Sequence, residues 1–170
     1  EGNDADSKKI RQELLKMIKD DKNIEYLDQL YYTLALMDVN IKDTISAKEK
    51  YLLSALSSVE NVSQKSLSYL ALAKLYFSVG EYNSAYSFYD STITYMNSDF
   101  RLYEQTNDRK LILEDLVLNM NRVELEDSLQ MLSGLSVSEQ SIIFNKIIQD
   151  EFEQERIKAE EERLRQQNVN

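Results

Sequence analysis

The 170-residue sequence predicts an all-α protein built as a stack of helical hairpins, and three observations carry that reading. The chain has 0 Pro and 3 Gly, whereas strands joined by tight turns rely on both residues. Apolar residues recur at spacings of three and four from Ile10 onward, the period of one helix face. Two segments also align on each other without gaps at a constant offset. Large packing groups are mostly phenolic, with Tyr 11 against Phe 5 and Trp 0, which suits helix seams that keep one wet edge.

Residues 1–23 read as a lead-in followed by the second helix of a preceding repeat. Glu1 to Asp6 is small and polar, Ser7 is a candidate N-cap, and Ile10, Leu14, Met17 and Ile18 form the apolar face. The run Asp20-Asp21-Lys22-Asn23 stops that helix.

Residues 24–62 and 63–98 are the two aligned copies. Tyr31, Leu34, Ala35, Ala47 and Tyr51 correspond to Tyr69, Leu72, Ala73, Ala85 and Tyr89, each pair 38 apart (69 − 31 = 38, and so on). A period of this size marks a solenoid, in which each unit buries its apolar face on its neighbour. A small Ala lets two helix backbones approach, and the aromatic fills the space beside it. These residue types resemble the tetratricopeptide pattern, a right-handed α-α superhelix of helical hairpins. The second copy matches it better, through Tyr69, Leu72, Ala73, Tyr76, Gly80, Tyr82, Ala85 and Tyr89. Gly80 falls where the first helix must end in a left-handed residue. In the first copy Asp38 replaces the second aromatic and Lys42 replaces the glycine, and both copies lack the pattern's proline. An offset of 38 against the pattern's usual length of about 34 predicts longer loops between repeats.

Residues 99–135 read as a degenerate third hairpin that caps the stack. Leu113, Leu116, Val117 and Met120 share a face, a turn is expected at Asn121-Arg122, and Leu125, Leu129 and Leu132 follow. Ser133-Gly134-Leu135-Ser136 breaks the chain, and Ser136 with Glu139 forms a capping box that opens a last helix over residues 136–170. That helix begins apolar (Ile142, Ile143, Phe144, Ile147, Ile148, Phe152) and becomes charged through Arg165. Offsets of four such as Arg156–Glu160, Lys158–Glu162 and Glu161–Arg165 support a solvated single helix leading to a further domain. A coiled coil is the other reading, although Ile157 and Leu164 alone make a sparse seam.

Formal net charge is −10, with no basic cluster, which disfavours nucleic acid and anionic membrane surfaces as partners. No apolar run approaches the roughly 18 residues that span a bilayer. The chain does not begin with Met and carries no basic-then-apolar leader, so it is expected to be a processed or excised piece. Cys 0 and His 0 remove disulfides, thiolate nucleophiles, imidazole bases and the commonest zinc ligands. Close acidic groups, Asp20 with Asp21 and Glu124 with Glu126 and Asp127, sit where helix starts take carboxylates. No Gly-rich phosphate loop, calcium loop or nucleophile elbow occurs. The expectation is a protein that is not an enzyme, needs no cofactor or metal, and binds a protein or peptide.

If the alignment holds, the first helix of each copy presents Tyr32, Leu36 and Val39, then Leu70, Lys74 and Phe77, as a groove for a partner helix or strand. The competing reading fills that groove with another helix of the same chain. Lys74 is the lone basic residue of the set, which argues against capture of acidic peptide ends.

The stretch from Met17 to about Ile148 resembles one bacterial family. The residues concerned are Lys16 to Gln29, Ser68-Tyr69-Leu70-Ala71-Leu72-Ala73, Ala85 to Ser91, and Leu125-Glu126-Asp127-Ser128-Leu129-Gln130 with Glu139 beyond the break. They are similar to the large tetratricopeptide lipoproteins of Bacteroidetes of the SprE/PorW type. That resemblance implies a periplasmic scaffold, held at the outer membrane through a lipid-anchored parent chain, in type IX secretion and gliding motility. It also implies that this chain is a middle fragment with no direct membrane insertion of its own. The alternative is a peptide-binding or sensory tetratricopeptide domain of a regulatory protein. With that address in view, Asp43-Thr44-Ile45 and Asp127-Ser128-Leu129 fit the O-glycosylation pattern of such periplasms, with Thr44, expected in a loop, the better acceptor.

Overall fold

A computed structural model describes the backbone of residues 2–167 and the side chains of residues 6–160, 162 and 163. Among the described residues it is all-α and contains no strand. The helices are α1 (Gly2–Ile18), α2 (Leu27–Asn40), α3 (Thr44–Ser57), α4 (Val62–Ser78), α5 (Tyr82–Tyr95), α6 (Tyr103–Ser133) and α7 (Val137–Gln167), with a 3-10 helix over Asp21–Tyr26. The chain divides into two compact units, Glu1–Met120 and Asn121–Asn170.

In the first unit α1 starts at Gly2, ahead of the expected Ser7 cap. Asp6 then falls near its N-terminal end, where a carboxylate is favoured by the positive end of the helix dipole. It ends at Ile18, and Asp20 caps the 3-10 helix by accepting from the Lys22 amide at 3.1 Å.

α2 with α3, and α4 with α5, form two hairpins, and α3 packs on α4 between them. Both hairpins turn in the same way. The Lys42 and Asp43 amides donate to Val39 and Asp38 carbonyls at 3.0 and 2.9 Å. The Gly80 and Glu81 amides donate to Phe77 and Tyr76 carbonyls, both at 3.1 Å. This is a Schellman closure, which requires a left-handed residue. Lys42 and Gly80 supply it, with φ of 63° and 79°. They are 38 residues apart (80 − 42 = 38), the offset of the aligned copies. Lys42 thus takes the glycine's conformation without being glycine. Asp43 then caps α3 by accepting the Ser46 amide at 3.1 Å, which holds its carboxyl below the usual carboxylate range.

The repeated apolar positions make the core. Leu34, Ala35, Ala47, Tyr51, Leu72, Ala73, Ala85 and Tyr89 are all buried. Full burial of each Leu contributes about 1.5–3 kcal/mol, and the alanines set the spacing between helices. Leu113, Met96 and Leu70 extend this core onto the first turns of α6.

Two polar devices cross the helices. Asp38 is fully buried and receives Arg11 Nη2 and Lys50 Nζ, each at 2.5 Å, so one carboxylate pins α1, α2 and α3. At the opposite end of the hairpin, Ser54 Oγ donates to the Asp28 carbonyl at 2.6 Å and shares a 2.7 Å hydrogen bond with Ser68 Oγ. The Asp28 carboxylate accepts from Ser58 Oγ and Asn61 Nδ2 at 3.3 and 3.1 Å. Where the first hairpin has Asp38, the second has Tyr76, which stacks on Phe88 at 5.2 Å. Phe88 stacks on Tyr69 at 6.1 Å, and Tyr69 on Tyr95 at 5.8 Å. Lys48 sits 3.9 Å over Tyr76 and Lys65 sits 5.0 Å over Tyr95, so the column of four rings ends in a cation on both sides.

The turn expected at Asn121-Arg122 does not form. α6 runs unbroken from Tyr103 to Ser133, so residues 99–135 hold one helix and not a degenerate hairpin. Neither Asn nor Arg stops a helix: each costs under about 0.7 kcal/mol there, and no Gly or Pro intervenes before Gly134.

In the second unit the capping box closes as expected. Glu139 Oε2 accepts the Ser136 amide at 2.9 Å and the Ser136 hydroxyl at 2.7 Å, and these bonds lower the Glu139 pKa. Gln140 Nε2 donates to the Leu132 and Leu135 carbonyls at 2.9 and 3.2 Å, fixing the start of α7 at the Gly134 break. α6 and α7 share almost no packing, and Ile142, Phe144, Ile147, Ile148 and Phe152 are all exposed. Arg156 pairs with Glu153 at 2.7 Å rather than with Glu160, which pairs with Arg163 at 3.4 Å. Three residues are one near-turn of helix, so both spacings bring such side chains together. The expected Glu161–Arg165 pair and the Leu164 seam position lie outside the described side chains.

Candidate functional site

The residues singled out for a partner groove divide into two groups. Tyr32, Val39, Leu70 and Lys74 line one depression of about 400 Å³, to which Tyr51 contributes from α3 and Leu102 from the segment before α6. Leu36 and Phe77 do not line it. Leu36 is exposed on another aspect of α2. Phe77 is engaged by its neighbours, with the Tyr82 ring edge-on at 5.5 Å and the Arg109 guanidinium 5.1 Å above its centre.

The depression owes its shape to side-chain size. Ala71 faces it from α4 beside Leu67 and Leu75, and the absent bulk at 71 leaves room between the Tyr32 and Leu70 side chains. Tyr32 is held edge-on against Tyr51 at 5.2 Å. Burial raises the pKa of both phenols, that of Tyr51 to about 12 with a further push from Tyr32.

Leu70, Lys74 and Leu102 also border a smaller pocket of about 100 Å³, completed by Tyr89, Gln105, Thr106 and Arg109. The two spaces therefore form one groove along α4, apolar at the α2 end and rich in hydrogen-bond donors at the α6 end. Its charged lining residues are Lys74 and Arg109, both exposed. Among the described residues neither joins an ion pair. Burial raises the Tyr89 pKa against the opposing pull of Arg109.

Arg109, Gln105 and Thr106 were not expected here. Residues 99–119 carry no aligned copy, and no local pattern tells which face of that helix meets α4. Lys74 is therefore not the lone cation of the groove, because α6 brings Arg109 to the same pocket.

Four acidic groups have structural partners, whereas Glu124, Glu126 and Asp127 lie in the interior of α6 and not at a helix start. Asp20 caps the 3-10 helix, Asp43 caps α3, and Asp28 and Asp38 are satisfied in the core. Among the described residues no cluster of three or more Asp or Glu side chains is arranged to hold a metal ion, and no helix is long and apolar enough to cross a membrane. Thr44 is the half-buried first residue of α3 rather than part of a loop. Asp43 is already a helix cap, and its side-chain bond to Ser46 makes the following residue helical.

No protein-family model matches the chain, and no curated protein matches it significantly.

Proposed function

We propose that the chain is a non-enzymatic docking scaffold, built as a tetratricopeptide-like solenoid, that holds a protein partner in the groove along α4. The observation that carries this reading is the groove itself, with an apolar half from α2 and α4 and a basic half completed by α6. An amphipathic helix or extended strand presents apolar and acidic side chains in such a sequence, and grooves of this kind seat them. The groove holds phenol hydroxyls and two cations, a set suited to recognition through hydrogen bonds and charge. Support for the repeat reading is the shared 38-residue offset of the buried Leu–Ala–Ala–aromatic positions and of the two left-handed turn residues.

The address we propose rests on the resemblance to SprE/PorW-type lipoproteins: a periplasmic part of type IX secretion or gliding machinery. The test is affinity capture from the native host's envelope with the wild-type chain and with Val39→Arg. Val39 lies at the groove and is exposed, so the longer cation obstructs the groove without touching the core. Envelope proteins retained by the wild type and lost by Val39→Arg, with far-UV circular dichroism unchanged, support the docking role. Secretion-ring components among them support the address, and a kinase or response protein supports the regulatory reading instead. Identical captured sets from both chains would refute the groove as the docking site.

A further inference from the structure

The groove is not the sole uncovered feature of this molecule. α7 carries an apolar face with nothing packed on it: Phe144, Ile147 and Ile148 are 49%, 46% and 48% exposed. Spacing of three and four places Glu151 and Glu155 on that same face, immediately after the apolar residues. A shallow depression at this point is bordered by Ile147, Asp150, Glu151, Gln154, Glu155 and Lys158. The order along this face is apolar and then acidic over residues 144–155, with Lys158 following one turn later. The order along the groove is apolar (Tyr32, Val39, Leu70) and then basic (Lys74, Arg109).

From this match we infer that the groove accepts the α7 helix of a second copy of the same chain. Ile147 and Ile148 would enter the apolar half, and Glu151 and Glu155 would meet Lys74 and Arg109. The inference rests on the docking reading of the groove and names its partner. Two facts favour an apolar and acidic helix as the occupant, and this chain itself supplies one in α7. The protein is strongly acidic, so two cations that form no ion pair among the described residues, beside one groove, are a local exception that an acidic helix answers. An apolar face this long on a charged helix also carries a solvation cost until something covers it.

Occupancy by the chain's own α7 would leave the protein monomeric, whereas occupancy by a second copy makes association depend on concentration. Exchange of α7 between two copies, each filling the other's groove, gives a closed two-fold pair of the isologous kind.

The experiment is sedimentation velocity of the full chain across a micromolar to sub-millimolar series. We expect a concentration-dependent dimer. Lys74→Glu with Arg109→Glu, and separately Glu151→Lys with Glu155→Lys, should each weaken association by roughly tenfold or more, because each juxtaposes like charges. All four residues are exposed, so far-UV circular dichroism should match the wild type for both variants. An equimolar mixture of the two variants should recover the dimer, since each contact in the mixed pair again joins opposite charges. A wild type that stays monomeric over the whole range, a dimer that survives both reversals, or a mixture that stays monomeric would overturn the inference. A monomeric wild type whose envelope partner is still lost on Val39→Arg would retire self-docking alone and leave the scaffold function standing.

Discussion

Gly80 and Lys42 occupy the same conformation, one by nature and one under strain, so exchanging their characters tests the equivalence of the two hairpins. Gly80→Ala adds a Cβ that meets nothing within 4 Å, so no clash contributes and the backbone alone sets its effect. A left-handed φ of 79° costs an L-residue about 1–2 kcal/mol. Restricting the unfolded chain returns about 0.4–1 kcal/mol, for a net loss of about 1 kcal/mol. Lys42→Gly runs the opposite way. It releases the same strain at φ 63° and gives up a comparable unfolded-state gain, for a net change between zero and about 1 kcal/mol of stabilisation. The assay is urea unfolding followed by tyrosine fluorescence. All 11 Tyr fall between residues 26 and 103 and Trp is 0, so the signal reports the first unit alone. The midpoint should fall for Gly80→Ala and hold or rise for Lys42→Gly, with the slope unchanged in both. Gly80→Ala as stable as the wild type, or Lys42→Gly less stable by more than about 0.5 kcal/mol, would refute the strain argument.

Asp38→Asn keeps the shape of a fully buried side chain but leaves Arg11 and Lys50 without their counter-charge. We expect a loss of about 2–4 kcal/mol, tempered because both cations retain some contact with water; a cost below about 0.5 kcal/mol by the same urea assay would show that the triad contributes little. Tyr51 titrates late, its pKa raised to about 12 by burial and by Tyr32. Its unfolded phenol ionises near 10, so the stability it contributes is complete below about pH 10 and is lost as pH rises towards 12. Phenolate absorbance should therefore include a late step that Tyr51→Phe removes, and an unchanged titration curve would contradict the burial argument.

Much of the first unit was legible because its signal is local and repeated. Leu34 and Leu72, or Ala47 and Ala85, need the same environment, and an offset of 38 brings each pair to it. The Gly80 turn was legible for the same reason. The Lys42 turn was not read as left-handed, since no residue type announced it; hydrogen bonds from Lys42 and Asp43 to the end of α2 enforce it. Asp38 looked like a departure, and its explanation lies 27 residues upstream at Arg11, where no periodicity connects them. The groove was half legible. Spacing placed Tyr32, Val39, Leu70 and Lys74 on suitable faces, but Phe77 is claimed by Arg109 from a helix with no aligned counterpart. The unbroken α6 is not legible because polar residues such as Asn121 and Arg122 suggest a turn, while only Gly or Pro would enforce one.

The ring column from Tyr76 through Phe88 and Tyr69 to Tyr95 has a mechanical consequence. Near-parallel offset rings slide across each other at small cost but resist being pulled apart, because separation forfeits contact along the whole face. A load drawing α4 and α5 past one another is met by graded slip, of the shear kind known for packed helices. A load prising them apart must open every ring contact together, and must also lift Lys65 of α4 from Tyr95 of α5. The second hairpin is therefore compliant along its helices and stiff across them, like a laminated spring. The first hairpin is braced at discrete points instead, by the Lys50–Asp38 ion pair near its turn and by the Ser54 and Ser58 hydrogen bonds to Asp28 at its far end.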